Sequence, residues 1–117
     1  ELFEDGEMTR DFIHIDDVVR ALRWAMACER PLPHIANIGT GRRTSLRSLV
    51  EMLAVAAPAP PTVTCSGRFR AGDVRHACAD TAQWRGRFGT WQPIALETGL
   101  PAYLDWLNDA RAASVCP

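Results

Sequence analysis

The chain has 117 residues, 47% of them hydrophobic and 23% charged, with a formal net charge of −1, which suits one soluble globular domain and excludes two. Near-neutrality argues against non-specific nucleic-acid binding, which needs a basic surface to displace counterions, and no apolar run approaches the ~20 residues that cross a bilayer. All 13 basic residues are arginine, so a P-loop lysine, lysine Schiff-base chemistry and any tyrosine–lysine catalytic pair are excluded.

Glu1 to Met8 reads as a β-hairpin turning at Asp5-Gly6. It is entered almost in mid-strand and without an initiator methionine, as expected of a piece of something longer. Thr9 to Ile15 alternates loosely and carries strand formers. Asp16-Asp17 then offers an N-cap to a helix over roughly Asp17 to Cys28, in which Val18, Leu22, Ala25 and Met26 share one face. Pro31 and Pro33 stop it. Ile35-Ala36-Asn37-Ile38, short, apolar and bounded by Gly39, predicts a strand, followed by a turn at Gly39-Thr40-Gly41. Thr44 or Ser45 caps a second helix whose Leu46, Leu49, Val50 and Leu53 form one stripe ending before Pro58. Pro58-Ala59-Pro60-Pro61 predicts a rigid extended connector.

Thr62 to Cys65 is β-prone and ends at Ser66-Gly67. Ala77-Cys78-Ala79 predicts a short strand, and Asp80-Thr81 caps a brief helix through Trp84 to Phe88 that Gly89 closes. Pro93 opens the last element, a helix lined by Ile94, Leu96, Leu100, Tyr103, Leu104 and Leu107, with Pro101 interrupting one backbone bond near its first turn. The tail from Ala110 to Pro117 is expected to fray. Short strands alternating with three to four helices, without internal repeats, predict a small α/β (α+β) domain lacking a long parallel sheet.

Cys28, Cys65, Cys78 and Cys116 form no C-x-x-C pair and have no His at ligand spacing, so no zinc or other metal site is expected. Buried free thiols in a reducing cytoplasm are a simpler reading than a disulfide framework, because no secretory segment precedes residue 1. His14, between two isoleucines, reads as a half-buried histidine rather than a catalytic base; His34 says little. Asp16-Asp17 reads as a helix cap rather than a metal pair. Gly39-Thr40-Gly41 invites a dinucleotide-binding reading but fails on detail. Thr44 replaces the third glycine, the strand before it is short, and no acid follows at about 20 positions to hold a ribose. A glycine-shaped turn remains.

The segment Arg68 to His76 is different, since Arg68, Arg70 and Arg75 surround Gly72 and Asp73 with little apolar periodicity. Two readings stay open. It is a solvated charged loop, or it is a diphosphate site, in which forked guanidinium groups grip phosphate oxygens, Gly72 lets backbone approach, and Asp73 accepts from a pair of sugar hydroxyls.

Three motifs occur in order: Glu4-Asp5-Gly6 with Thr9-Arg10-Asp11-Phe12-Ile13-His14-Ile15-Asp16-Asp17-Val18, then Asn37-Ile38-Gly39-Thr40-Gly41, then Arg70-Ala71-Gly72-Asp73-Val74-Arg75-His76. Together they resemble the C-terminal part of the extended short-chain dehydrogenase/reductase family. Within it, the likeness is to NAD-dependent nucleotide-sugar epimerases and dehydratases of the UDP-glucose 4-epimerase type, from residue 1 to about Leu107. The resemblance implies a large N-terminal Rossmann domain that holds NAD and a smaller C-terminal domain that closes over the nucleotide sugar. Residues 1–117 correspond to the second alone.

By motif, the resemblance makes Arg10 and Arg70 the two arginines on the diphosphate and Asp73 the acid on the nucleoside ribose. Arg68 and Arg75 are structural, Asn37, Gly39 and Gly41 shape a turn, and Asp17 is the helix cap. It implies no catalytic and no cofactor-binding residue within the chain. The expectation is a substrate-binding domain for a UDP- or dTDP-hexose, catalytically incomplete alone, with NAD held by the absent Rossmann half. The alternative is a stand-alone or pseudoenzyme interaction module whose arginines contact an acidic partner. An apolar hairpin edge around Leu2 and Phe3 further predicts a symmetric homodimer.

Overall fold

The computed structural model describes residues 1–29, 35–57, 59, 62–89 and 91–114, with side chains through 110. Its elements run β1 (Thr9–Arg10), α1 (Ile15–Met26), β2 (Thr44–Ser45), α2 (Leu46–Ala56), α3 (Ala82–Phe88) and α4 (Leu96–Ser114). This is the small mixed α/β domain that the sequence predicts, with β1 and β2 antiparallel and Thr9 opposite Ser45.

The helix starts obey cap chemistry, though not always at the expected residue. Ser45 Oγ accepts the Ser48 N–H at 3.1 Å to open α2, and Asp80 Oδ1 accepts the Ala82 N–H at 3.0 Å to open α3. The cap of α1 is His14, whose Nδ1 accepts from the Asp16 N–H at 3.2 Å. Asp16-Asp17 therefore lies inside the first turn, where its charges favour the helix N-terminus, and Asp17 is not the cap. α4 includes Pro101 in its second turn and runs on to Ser114, so helix replaces the expected fraying from Ala110 as far as Ser114, and 115–117 lie outside the described residues. Three alanines in Ala110-Arg111-Ala112-Ala113 carry the highest helix propensity of any residue.

The core forms where α1 meets α3. Ala21, Trp84 and Trp91 are buried, and Trp24, Phe88, Ile13, Ala36 and Ile38 pack around them. The small Ala21 lets the indoles come close: Trp84 lies 4.2 Å from Phe88 and 5.7 Å from Trp91 between ring centroids. Each such pair contributes about 0.5–1.5 kcal/mol beyond area burial. The inward face of α1 is thus the buried Asp17 and Ala21 with the half-buried Trp24, and Leu22 and Met26, read as inward from periodicity, are exposed.

Several predicted strands lack a ladder. The arms of the N-terminal hairpin do not pair with each other. The Gly6 N–H closes a turn onto Phe3 O at 3.2 Å, while the Leu2 N–H donates to Thr64 O at 2.8 Å and Leu2 O accepts the Ser66 N–H at 2.9 Å. Residues 64–68 of the same chain thus occupy the backbone edge beside Leu2 and Phe3. Thr62 to Cys65 and Ala77 to Ala79 supply single bridges or isolated bonds instead of strands. Ile35 to Ile38 has no neighbour alongside among the described residues; Ala36 and Ile38 pack on the indole cluster and Ile35 is exposed. Cys65 is exposed rather than buried, while Cys28 and Cys78 are intermediate. Pro31, Pro33, His34, Pro58, Pro60, Pro61 and Cys116 lie outside the described residues.

Candidate functional site

The segment from Asp73 to Ala79 is stitched along β1, and this brings two of the predicted residues together. The Thr9 N–H donates to Arg75 O at 3.0 Å and the Ala77 N–H to Thr9 O at 3.0 Å. Arg10, one residue on, donates from Nη1 to Thr9 O at 2.9 Å and Arg75 O at 3.2 Å, and from Nη2 to Asp73 Oδ1 at 2.9 Å. Three hydrogen bonds thus hold a guanidinium that carries five donors. Asp73 keeps Oδ2 outside its bond to Arg10.

Arg70 and Asp73 form the ends of one turn, in which the Asp73 N–H donates to Arg70 O at 3.1 Å. Gly72 sits in this turn at φ +83° with no atom within 4 Å of where a Cβ would stand, which favours glycine and leaves the turn open on that side. The Arg70 guanidinium lies over the Phe3 ring, 4.5 Å from its centroid.

Charge compensation separates the arginines. Arg68 pairs with Glu1 at 2.6 Å, Arg47 with Glu7 at 2.8 Å and Arg10 with Asp73 at 2.9 Å; Arg75 pairs with Asp5 at 2.6 Å and also with Glu4. The Glu7 N–H, and after it Arg75, holds the Asp5 carboxyl below its ordinary value, and Asp5 in turn raises Arg75. Among the described residues Arg70 has no carboxylate partner. It is the uncompensated cation of the cluster.

Asp11 was not singled out by its sequence context, yet it organises this region. Its Oδ1 accepts from the Thr40 N–H at 2.9 Å and from the Thr40 hydroxyl, and its Oδ2 accepts from the N–H groups of Gly41 at 2.9 Å and Ala79 at 3.2 Å. Burial alone would raise its carboxyl, but the bonds from Thr40, Gly41 and Ala79 outweigh burial and lower it. Gly39 is required by close approach, because a Cβ there would stand 2.5 Å from Ala79 Cβ and 2.6 Å from Asp11 Oδ2. Within the Asn37-Ile38-Gly39-Thr40-Gly41 motif the chain bends at Gly39, and the N–H groups of Thr40 and Gly41 close on Asp11. No local pattern marks Asp11, because its partners stand 29 to 68 residues away.

His14 is intermediate in burial and borders an apolar cleft of about 820 Å³ between α2 and α4, with Phe12, Leu53, Leu100, Tyr103 and Trp106 also in its walls. None of the predicted arginines lines it. Among the described residues, no group of three or more His, Cys, Asp or Glu could hold a metal ion, and no helix is long and apolar enough to cross a membrane.

Comparison with known proteins bears on this arrangement. Residues 1–39 match the NAD dependent epimerase/dehydratase family. The chain is 39% identical over 108 residues to the dTDP-L-rhamnose 4-epimerase of Burkholderia thailandensis, covering 91% of this chain and 29% of that protein. It is 34% identical over 110 residues to the UDP-glucose 4-epimerase of Mycolicibacterium smegmatis, covering 93% and 34%. Among solved structures, MoeE5 in complex with UDP-glucuronic acid and NAD superposes with a TM-score of 0.83 at 32% identity, over 93% of this chain and 36% of that one. The UDP-glucose 4-epimerase of Thermotoga maritima with UDP-glucose does so with a TM-score of 0.78 at 32% identity, over 94% and 35%. The chain spans about a third of the length of the curated relatives it matches.

Proposed function

We propose that the chain is the C-terminal part of an NAD-dependent nucleotide-sugar epimerase or dehydratase, the family its similarities point to, and that it holds a nucleoside-diphosphate hexose, with a UDP- or dTDP-sugar as substrate. The observation that carries this reading is the uncompensated Arg70 at one end of the Arg70–Asp73 turn, with Arg10 aimed by Asp73 at the other. Arg70 and Arg10 suit the diphosphate, and Asp73 Oδ2 suits a ribose hydroxyl. Arg68 and Arg75 serve the scaffold.

The Gly39-Thr40-Gly41 turn does not fit a dinucleotide, since the Thr40 and Gly41 N–H groups already donate to Asp11. NAD belongs to the remainder of the longer enzyme, and so does the chemical step. This chain contributes orientation: a sugar fixed through its diphosphate is presented to the nicotinamide at high effective concentration. The Rossmann half is the partner of the domain in that enzyme; alone, the chain pairs with a second copy through an exposed apolar face.

UDP titrated into the 117-residue chain and followed by backbone NMR is expected to move resonances at 10 and 70–73, weakly and less at high salt. Arg70→Ala is expected to abolish the shifts. Equal shifts in that variant remove Arg70 from the site, and shifts produced only by acidic peptides favour an interaction module. Calorimetric titration with NAD is expected to show no binding.

A further inference from the structure

We propose that Phe3 is a positioning residue for Arg70, holding the guanidinium by its face so that the arginine is fixed without being neutralised. The inference rests on the reading of Arg70 as the arginine that meets the anion. Two ways of immobilising an arginine are visible side by side in this cluster. Arg68, Arg75, Arg47 and Arg10 are held by carboxylates, which take edge N–H groups and cancel the charge. Arg70 lies instead 4.5 Å from the centroid of the Phe3 ring, with Arg68 on the same ring at 5.8 Å. A ring engages the flat face of the guanidinium, so the donors around its edge and the full positive charge remain for a ligand that binds in the fork geometry.

The platform is itself clamped. On either side of Phe3, the Leu2 N–H donates to Thr64 O and the Glu4 N–H to Arg68 O, both at 2.8 Å, and the Gly67 N–H donates to Glu4 O at 3.3 Å. Glu4 adopts a left-handed backbone at φ 50° without being glycine, and Arg75 holds both its carboxylate and that of Asp5. The turn that presents Phe3 is thus tied at its backbone and at its side chains to the segment that carries Arg70. Simple burial of an apolar side chain would not require this ring under this cation.

The test uses inorganic pyrophosphate and UDP as separate probes, with Phe3→Leu and Phe3→Tyr. Phe3→Leu is expected to weaken both probes by roughly two- to fivefold, the range of an exposed cation–π contact, and Phe3→Tyr to restore both. In the ligand-free chain the Arg70 side-chain N–H resonance, shielded by the ring, is expected to move downfield in Phe3→Leu and to stay put in Phe3→Tyr. A loss confined to UDP would put Phe3 against the base and overturn the proposal. So would an Arg70 resonance indifferent to Phe3→Leu, or pyrophosphate binding unchanged by it. If Arg70→Ala leaves pyrophosphate binding intact while the Arg70 resonance still responds to Phe3, the stack stands and the anion site is what fails.

Discussion

Asp17 accepts the Ile94 N–H at 2.7 Å through Oδ2 and Arg20 Nη2 at 2.7 Å through Oδ1. This one carboxylate, 1% exposed, docks the lead-in to α4 against the first turn of α1. Arg20 carries the tie further, donating to Gln92 O at 2.8 Å and lying 4.8 Å over the Trp91 ring. A buried acid with two partners is costly to remove, because the Ile94 N–H is left without its acceptor and Arg20 loses its counter-charge, keeping only Gln92 O. Asp17→Ala is expected to lower stability by about 2–3 kcal/mol, read from the urea midpoint; a loss below about 1 kcal/mol would mean that the pair is dispensable.

Asp11 gives stability a pH dependence. Its carboxyl lies below the ordinary aspartate value of 3.8 in the folded chain. A lowered folded value means that the contribution is complete above that ordinary value and is lost as pH falls through the folded one. Asp11→Asn sets an amide donor against the Gly41 or Ala79 N–H and is expected to cost about 2 kcal/mol at neutral pH. The gap between native and variant chains should narrow below about pH 4. Denaturation curves with the same gap at both acidic and neutral pH would contradict this.

Arg75 and Arg70 should separate cleanly. The Arg75 guanidinium serves Asp5 and Glu4, but it is its backbone carbonyl that Arg10 and Thr9 use. Arg75→Ala is therefore expected to leave UDP affinity within about twofold, since an exposed ion pair contributes little. Arg70→Ala is expected to keep the thermal midpoint and lose the ligand. Parallel titrations and melts of the two variants check this; a UDP loss in Arg75→Ala as large as that in Arg70→Ala would make Arg75 a ligand contact.

One face of α1 is apolar and uncovered: Ile15, Val19, Leu22 and Met26, at i, i+4, i+7 and i+11, are 66%, 46%, 54% and 86% exposed. A continuous apolar stripe of this kind tends to find a partner. The isolated chain is expected to self-associate through it, and Val19→Glu combined with Met26→Glu to shift it towards monomer. Phe3→Glu should not, because Leu2 and Glu4 already pair with 64–68. Sedimentation equilibrium decides, and association abolished by Phe3→Glu alone would return the interface to the N-terminal turn.

What the sequence carried plainly was chemistry close to a backbone signal. Ser45, Asp80 and Gly89 mark helix ends by rules that act within a few residues, and α2, α3 and α4 form near their expected positions. Pairing across the chain was harder to see. The turn forms one residue earlier than expected, at Glu4-Asp5 between Phe3 and Gly6, and the residues in and beside it pair with 64–68 rather than with each other, since a short arm takes whichever edge tertiary packing supplies. Periodicity misplaced the inner face of α1 because it counts Leu22 and Met26 as core and has no place for a buried aspartate such as Asp17. In the candidate site the residue types were visible as a charged, glycine-containing segment. Which arginine stays uncompensated depends on contacts that span the chain, from Glu1 to Arg68 and from Asp5 to Arg75.

The indole cluster also gives the fold an optical signature. Trp24 lies 6.4 Å from Trp84 and 6.0 Å from Trp91, with the first pair nearly parallel and the second close to perpendicular. Transition dipoles at this separation and with these fixed relative orientations couple, so the folded chain should show an exciton couplet in ultraviolet circular dichroism. Trp106 stands apart, beside Tyr103 in the wall of the cleft, and contributes ordinary fluorescence. Loss of the couplet therefore reports separation of α3 from α1, whereas a change in Trp106 emission reports events at the cleft, and the two can be followed in one unlabelled sample.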